Sequence, residues 1–341
     1  MQTNFIKMRI LITGASGFIG SFIVEEALKR GFETWAAIRK SSSKTFLQDE
    51  RIHFIELDFS SQERLEQQLE GHAFDYVVHA AGVTKCLDKN DFYRINTEGT
   101  QHLVKALTHL QMPLKRFVFI SSLSIMGAIR EQQPYEEITE RDTPSPNTAY
   151  GESKLAAEKY LSTLNSQLST FPYIILRPTG VYGPRERDYF LQVKSIQNHL
   201  DFAVGFQRQD ITFVYVTDVV QAVFLAMEKG TVGRKYFLSD GEVYRSAEFS
   251  DLVHEELGRP WWIRITAPIW LLRIITWCGD YLGKKTGTMT ALNNDKFNIL
   301  RQRNWRCDIE TSKKELGYEP QVKLAEGVHR SIQWYKENKW L

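Results

Sequence analysis

Tyr150 and Lys154 stand four residues apart in TAYGESKLAAEKYLSTL, a strongly helical stretch from Thr148 to Leu164. That spacing puts both side chains on one helix face. A phenol beside an ammonium suits carbonyl reduction. Hydride goes to carbon, the developing alkoxide needs a proton, and a tyrosine can donate it. The ordinary phenol pKa is about 10, and a nearby ammonium lowers it by favouring the phenolate. In the reverse direction the phenolate abstracts an alcohol proton. Lys154 could also reach the ribose of a nicotinamide cofactor. Ser122, just past the apolar run Arg116–Ile120, could hydrogen-bond the substrate oxygen where charge develops. Asn96, inside the helical stretch Leu87–Leu110, could hold a water that relays protons. Together these residues would perform general acid–base catalysis with a tuned phenol.

Elements earlier in the chain must position them. ILITGASGFIG, from Ile10 to Gly20, reads as a buried strand, a glycine turn and the start of a helix ending near Arg30 and Gly31. That layout binds a dinucleotide pyrophosphate. Gly14 would allow the tight turn, Gly17 the approach of backbone to phosphate, and Gly20 the close packing of helix on strand. The candidate cradle is Gly14, Ser16, Gly17, Phe18, Ile19 and Gly20. A second strand, Glu33 to Arg39, carries no acidic residue at its end and stops at Arg39 and Lys40, with Ser41, Ser42, Ser43 and Lys44 following. Arg39 and Lys44 would suit a ribose 2′-phosphate, which favours NADP(H) and leaves NAD(H) possible. A third strand, Ile52 to Asp58, would bring Asp58 and Phe59 to the adenine. A fourth, Phe74 to His79, runs into Ala80, Ala81 and Gly82, small residues that let a flat cofactor approach. His79 reads as structural. Alternating strands and helices of this size imply a doubly wound parallel sheet whose carboxyl ends share one edge.

Composition narrows the class. The chain has 341 residues, 43 basic and 41 acidic, with no block of one sign, which leaves no footprint for nucleic acid. Cys86, Cys278 and Cys307 are isolated and read as packed thiols, with neither a disulfide framework nor a metal site. No run of about 18 uncharged apolar residues occurs, and no secretory leader is evident. The expected location is cytoplasmic, with peripheral attachment at the inner face of the membrane left open by one C-terminal segment.

With these residues in view, the sequence resembles an extended short-chain dehydrogenase/reductase of the epimerase/dehydratase type. The resemblance rests on TGASGFIG (13–20), Asp58, HAAG (79–82), Asn96, FISS (119–122), YGESK (150–154), RPTGVYGP (177–184) and FVYVTDVVQA (213–222). It implies Ser122, Tyr150 and Lys154 as a catalytic triad and Asn96 as a structural and relay residue. It also implies that Pro178 to Val181 run past the nicotinamide. Dehydratases of this type carry Asp-Glu after the catalytic hydroxyl residue; here Leu123 and Ser124 stand there. Many nucleotide-sugar members carry an arginine two residues before the FVYV-like strand; here it is Ile211, although Arg185 and Arg208 are near enough in sequence to substitute. The pattern is similar to bacterial dihydroflavonol-reductase-like, 3β-hydroxysteroid-dehydrogenase-like and 3-ketosphinganine reductase members.

Trp261 to Leu282, WWIRITAPIWLLRIITWCGDYL, is apolar over most of a helix circumference after Pro268. It is either a buried core helix or a lid or membrane contact spanning 261–285. The expected architecture is a Rossmann-type domain, 1–184 plus 213–240, and a smaller interleaved α/β substrate domain, 185–212 plus 241–341. Tyr189, Phe190, Phe202, Phe206, Trp261 and Trp262 could line the cleft between them. The reading is an NAD(P)H-dependent reduction of a ketone to a secondary alcohol on an apolar, lipid-like small molecule, 3-ketosphinganine being the specific candidate, with sterol or flavanone-like ketones also open. The alternatives are a nucleotide-sugar 4-epimerase or reductase and a non-catalytic NAD(P)-binding protein. A homodimer is an expectation of the resemblance.

Overall fold

The computed structural model describes residues 7–164, 171–286 and 294–341. Residues 1–6 and 165–170 of the expected nucleotide-binding domain and 287–293 of the expected small domain lie outside the described residues.

Seven strands form the central sheet: β1 (Arg9–Thr13), β2 (Glu33–Ile38), β3 (His53–Glu56), β4 (Tyr76–His79), β5 (Arg116–Ile120), β6 (Tyr173–Pro178) and β7 (Lys235–Leu238). All pair in parallel, in the order β7-β6-β5-β4-β1-β2-β3. Helices cover both faces, so the strands are apolar on both sides rather than alternating. In β1, Ile10 and Ile12 enter one core while Leu11 enters the other, and all three are fully buried. The strand order reverses between β1 and β4, which opens a crevice at their carboxyl ends. Gly14 and Ala80 follow directly on β1 and β4, and Ser122 stands two residues past the end of β5, so the three share that edge.

The expected single helix Leu87–Leu110 is a continuous helical run with a change of winding. Lys89–Phe92 is α, Tyr93–Glu98 is π, and Gly99–His109 is α again. Asn96 sits in the π segment, a winding that often marks functional positions.

A third core, around Tyr182, Val193, Phe213, Phe249, Val328 and Ile332, holds the smaller part of the molecule. The segment from Cys307 to Tyr318, expected in the small domain, packs under the main sheet, where Cys307, Ile309, Leu316 and Tyr318 join the core of Ile174 and Phe237. Ser312 and Tyr318 hydroxyls donate to the carbonyls of Phe237 and Ser239, at 2.6 and 3.0 Å, which ties this segment to the end of β7.

The helix Ala149–Leu164 is fixed to the sheet by a buried ion pair. Arg177 of β6 donates to both Glu158 oxygens at 3.1 and 2.6 Å, and the Ser121 hydroxyl donates to Oε1 at 2.6 Å. Both charged side chains are almost wholly buried. Removing one partner strands the other charge without water, a loss of about 3–5 kcal/mol. Glu158→Ala is therefore expected to lower the unfolding free energy by about that amount in urea titrations; a change under about 1 kcal/mol would contradict this role for the pair.

Candidate active site

The turn after β1 is shaped by contacts that only glycine permits. Gly14 has φ +66°, and a Cβ there would lie 2.7 Å from the Ala80 carbonyl oxygen; one on Gly20 would lie 2.1 Å from the Gly14 carbonyl oxygen. The helix Phe18–Lys29 begins at Gly17 with no side-chain cap. Its first amide donors, from Phe18 to Gly20, are thus available to an anion at the positive end of the helix dipole. Ser16 is half-buried beside them. These features fit a dinucleotide pyrophosphate.

Farther along the crevice, Arg39 is exposed past the end of β2, where its backbone closes a turn with Ser42. Lys44 is exposed and lies over the ring of Phe54 at 4.0 Å. Asp58 follows β3 as expected, with its carboxylate paired to Arg64 and accepting from the Ser60 amide. The Ser60 hydrogen bonds, and then Arg64, hold its pKa down at about 2. Phe59 is half-buried, and its ring lies 5.9 Å from that of His79.

His79 is indeed structural, and its hydrogen bonds fix its tautomer. Thr100 Oγ1 donates to the Asn96 carbonyl at 2.7 Å, so it must accept from His79 Nε2 at 2.9 Å. Nδ1 is then the acceptor for Thr13 Oγ1 at 2.7 Å, and that hydroxyl in turn accepts from the Ala81 amide at 3.2 Å. Burial keeps the ring neutral, with its pKa near 3. This chain ties the Ala80–Gly82 strip to the π segment. Asn96 Oδ1 accepts from the Val83 amide at 2.8 Å, and Nδ2 donates to the Val83 carbonyl and to Ser153 Oγ, both at 3.0 Å. Both ends of the side chain therefore clamp the loop to the Tyr150 helix.

Ser122, Tyr150, Lys154 and Asn96 converge as expected. The Ser122 hydroxyl hydrogen-bonds the Tyr150 phenol and accepts from the Ser124 amide at 3.1 Å. Gly82 borders both Asn96 Oδ1 and Lys154 Nζ, which would lie 3.0 and 3.8 Å from a Cβ on Gly82. Lys154 Nζ rests over the ring of Phe119 at 4.2 Å. Gly151, which the sequence reading did not single out, allows this approach: a Cβ there would meet the Ser124 carbonyl oxygen at 2.5 Å.

The electrostatics differ from expectation. Burial raises the Tyr150 pKa, opposed by the Ser122 hydrogen bond. Lys154, itself buried, is pushed down to about 7, with Glu158 pulling the other way. The expected lowering of the phenol by Lys154 is not found; burial decides the direction, with only the Ser122 hydrogen bond opposing it.

Pro178 is buried at the end of β6, and Val181 lies just beyond on the strand Gly180–Tyr182. Across the cleft, Asp188 pairs with Lys85, and with Lys296 at 3.9 Å. A second unforeseen residue is Asp295. It accepts from the Ala149 amide at 3.1 Å and also from the Tyr150 amide, so it caps the Ala149–Leu164 helix from another part of the chain. The expected aromatic lining is not present as a set. Phe202, Phe206 and Trp261 are strongly exposed, Phe190 packs on Tyr335 and Trp340, and Trp262 stacks on His254. Cys278 is exposed rather than packed.

The family model for the NAD dependent epimerase/dehydratase family matches residues 10–239. The chain belongs to that family. Its enzymes act between CH–OH and C=O with a nicotinamide cofactor. Among relatives, a UDP-glucose 4-epimerase of Vibrio cholerae is 28% identical, over 95% of this chain and 94% of its own. A 3-beta-hydroxysteroid dehydrogenase of Mycolicibacterium neoaurum is 26% identical, over 96% and 92%. The solved dTDP-glucose 4,6-dehydratase of Streptomyces venezuelae superposes with a TM-score of 0.79 at 22% identity, covering 98% of both chains. That likeness shows the Rossmann-type fold.

The buried Lys154 has a consequence for stability. Its folded pKa of about 7 lies below its ordinary 10.5. Between those values the unfolded chain holds a proton that the folded chain lacks, so this group makes stability rise with pH. Below pH 7 the fold carries the full cost of the buried ammonium. Lys154→Met is expected to be more stable than the parent at about pH 6, with the gain shrinking at about pH 9. Denaturation at both pH values checks this, and a gain that grew with pH would have the wrong sign.

Proposed function

We propose that this member of the family reduces a ketone on an apolar, lipid-like molecule to a secondary alcohol, with NADP(H) preferred over NAD(H). The observation that carries the substrate class is the engagement of the two arginines that could have replaced the missing diphosphate clamp. Arg185 lies between the rings of Phe22 and Phe46, at 4.2 and 4.6 Å, and donates to Ser21 and Glu25 at 2.9 and 2.5 Å. Arg208 forks onto Asp210 at 2.7 and 3.1 Å. With Ile211 at the clamp position, neither guanidinium stands ready for a diphosphate. Leu123 and Ser124 likewise supply no acid–base pair for water elimination.

In this reading a bound nicotinamide supplies the hydride. Tyr150 donates the proton to the developing alkoxide. Ser122 orients the carbonyl oxygen, and Lys154 holds the ribose and biases the phenol. Asn96 acts by fixing Val83 and Ser153. Gly14, Ser16, Gly17, Phe18, Ile19 and Gly20 hold the pyrophosphate; Asp58 and Phe59 border the adenine; Ala80, Ala81, Gly82, Pro178 and Val181 flank the cofactor. Arg39 and Lys44 receive the 2′-phosphate. 3-Ketosphinganine is the first ketone to assay, followed by sterol ketones. Peripheral membrane contact through 261–285 and a homodimer complete the reading.

The epimerase relative supports a second reading, a nucleotide-sugar 4-epimerase or reductase. Titration with UDP- and GDP-sugars separates the two, since micromolar binding would overturn the apolar-ketone assignment. Tyr150→Phe is expected to lower kcat about 10²- to 10⁴-fold on any accepted ketone with NADPH binding retained. Full turnover by that variant would remove Tyr150 from the mechanism, whereas an absence of turnover by the parent across a carbonyl panel would favour a non-catalytic cofactor-binding role. Arg39→Ala is expected to weaken NADPH binding about tenfold or more and to leave NADH nearly unchanged, read by fluorescence titration. Equal losses for both cofactors would refute the 2′-phosphate assignment.

A further inference from the structure

Two neighbouring elements of the small part of the molecule are turned inside out. The strand Leu200–Val204 pairs in parallel with Ile263–Ala267, matching Leu200 to Ile263, Asp201 to Arg264 and Phe202 to Ile265. Alternation of side chains separates these pairs by face. The charged pair faces the protein, where Arg264 Nε donates to the buried Asp201 at 2.6 Å and Ser250 donates to the same carboxylate at 2.9 Å. Leu200, Phe202, Ile263 and Ile265 are exposed, Phe202 by 60%.

The next element repeats the inversion. The helix Ile269–Thr286 turns Leu272 and Thr276 inward, both essentially buried. Its outer stripe is Trp270, Ile274, Trp277 and Tyr281, at i, i+4, i+7 and i+11; Trp270 is 65% and Trp277 62% exposed. A chain hiding an ion pair and a threonine while showing four aromatic or large aliphatic side chains on each element has built a contact surface.

The charges say what covers it. From 261 to 286 no described exposed residue is acidic; Arg264 is held inward by Asp201 and Asp251, while Arg273 and Lys285 are exposed and unopposed on the outer side. A second copy docked on this face by a twofold axis would set these cations against one another with no facing carboxylate. An anionic bilayer supplies the opposite charge, and its interface favours tryptophan and tyrosine. Among the described residues, no helix is long and apolar enough to cross a membrane, so the contact is one of lying on the surface.

We propose that the outer face of the Leu200–Val204 and Ile263–Ala267 ribbon, together with the Trp270–Tyr281 stripe, docks on an anionic lipid bilayer. The face is structurally joined to the site. Asp280 of this helix accepts from the Asn294 amide at 3.2 Å, and the adjoining Asp295 caps Ala149 and Tyr150. The docking deepens the proposed peripheral contact and does not depend on the ketone chemistry, so vesicle binding and turnover can fail separately.

The test is co-sedimentation of the full chain with vesicles of phosphatidylcholine alone and of phosphatidylcholine with about one-third phosphatidylglycerol, at low and high salt. Binding to the anionic vesicles, weakened by salt, is expected. Trp270→Ser with Trp277→Ser, both on exposed positions, is expected to reduce partitioning about tenfold or more with an unchanged circular dichroism spectrum. No binding to anionic vesicles would overturn the proposal. So would binding that the paired substitution leaves intact, or a parent dimer in sedimentation that the same substitutions dissociate.

Discussion

The contact of Glu158 with Arg177 and Ser121 sets the register of the Tyr150 helix on the sheet. Tyr150 and Lys154 lie two turns and one turn before Glu158 on that helix, and Ser122 follows Ser121 just past the end of β5. One buried carboxylate therefore fixes the phenol, the ammonium and the serine hydroxyl relative to each other. Lys154 gains little compensating charge from this arrangement, as its pKa of about 7 records. The fold tolerates an expensive lysine at the position where the proposed chemistry needs one, a common relation between stability and function.

The rest of the site is held by hydrogen-bond clamps rather than by pairs of like kind. Thr13, His79 and Thr100 join the β1 turn to the π segment. Asn96 joins that segment to Val83 and Ser153, and Asp295 caps the Tyr150 helix from the C-terminal part. Each clamp crosses between elements far apart in sequence, so the crevice edge is preorganised by the protein before any ligand is considered.

This explains what could be read from the chain. The glycine turn, the parallel strands, Ser122 and the Tyr150–Lys154 spacing were legible because each depends on local sequence or on the fixed direction of a parallel sheet. Asp295 was not, since nothing near it in sequence announces a helix N-terminus 146 residues away. The fate of Arg185 and Arg208 was also closed to sequence, because their partners are decided by packing. Trp261–Leu282 was ambiguous for a different reason: a helix apolar nearly all round has no pattern that says which side meets water. The shift of Tyr150 went the other way from expectation because spacing reveals a neighbouring cation but not the cost of burying both groups.

The central claim is that Tyr150, Lys154 and Ser122 serve net hydride transfer to the carbonyl carbon of an apolar ketone. The most direct measurement uses NADPH deuterated at the transferable position, a long-chain ketone such as 3-ketosphinganine, and mass spectrometry of the product. The account predicts one deuterium on the carbinol carbon and one oxidised cofactor per alcohol formed. Inversion of a UDP-sugar with no net cofactor oxidation, and no labelled alcohol from any apolar ketone, would contradict it.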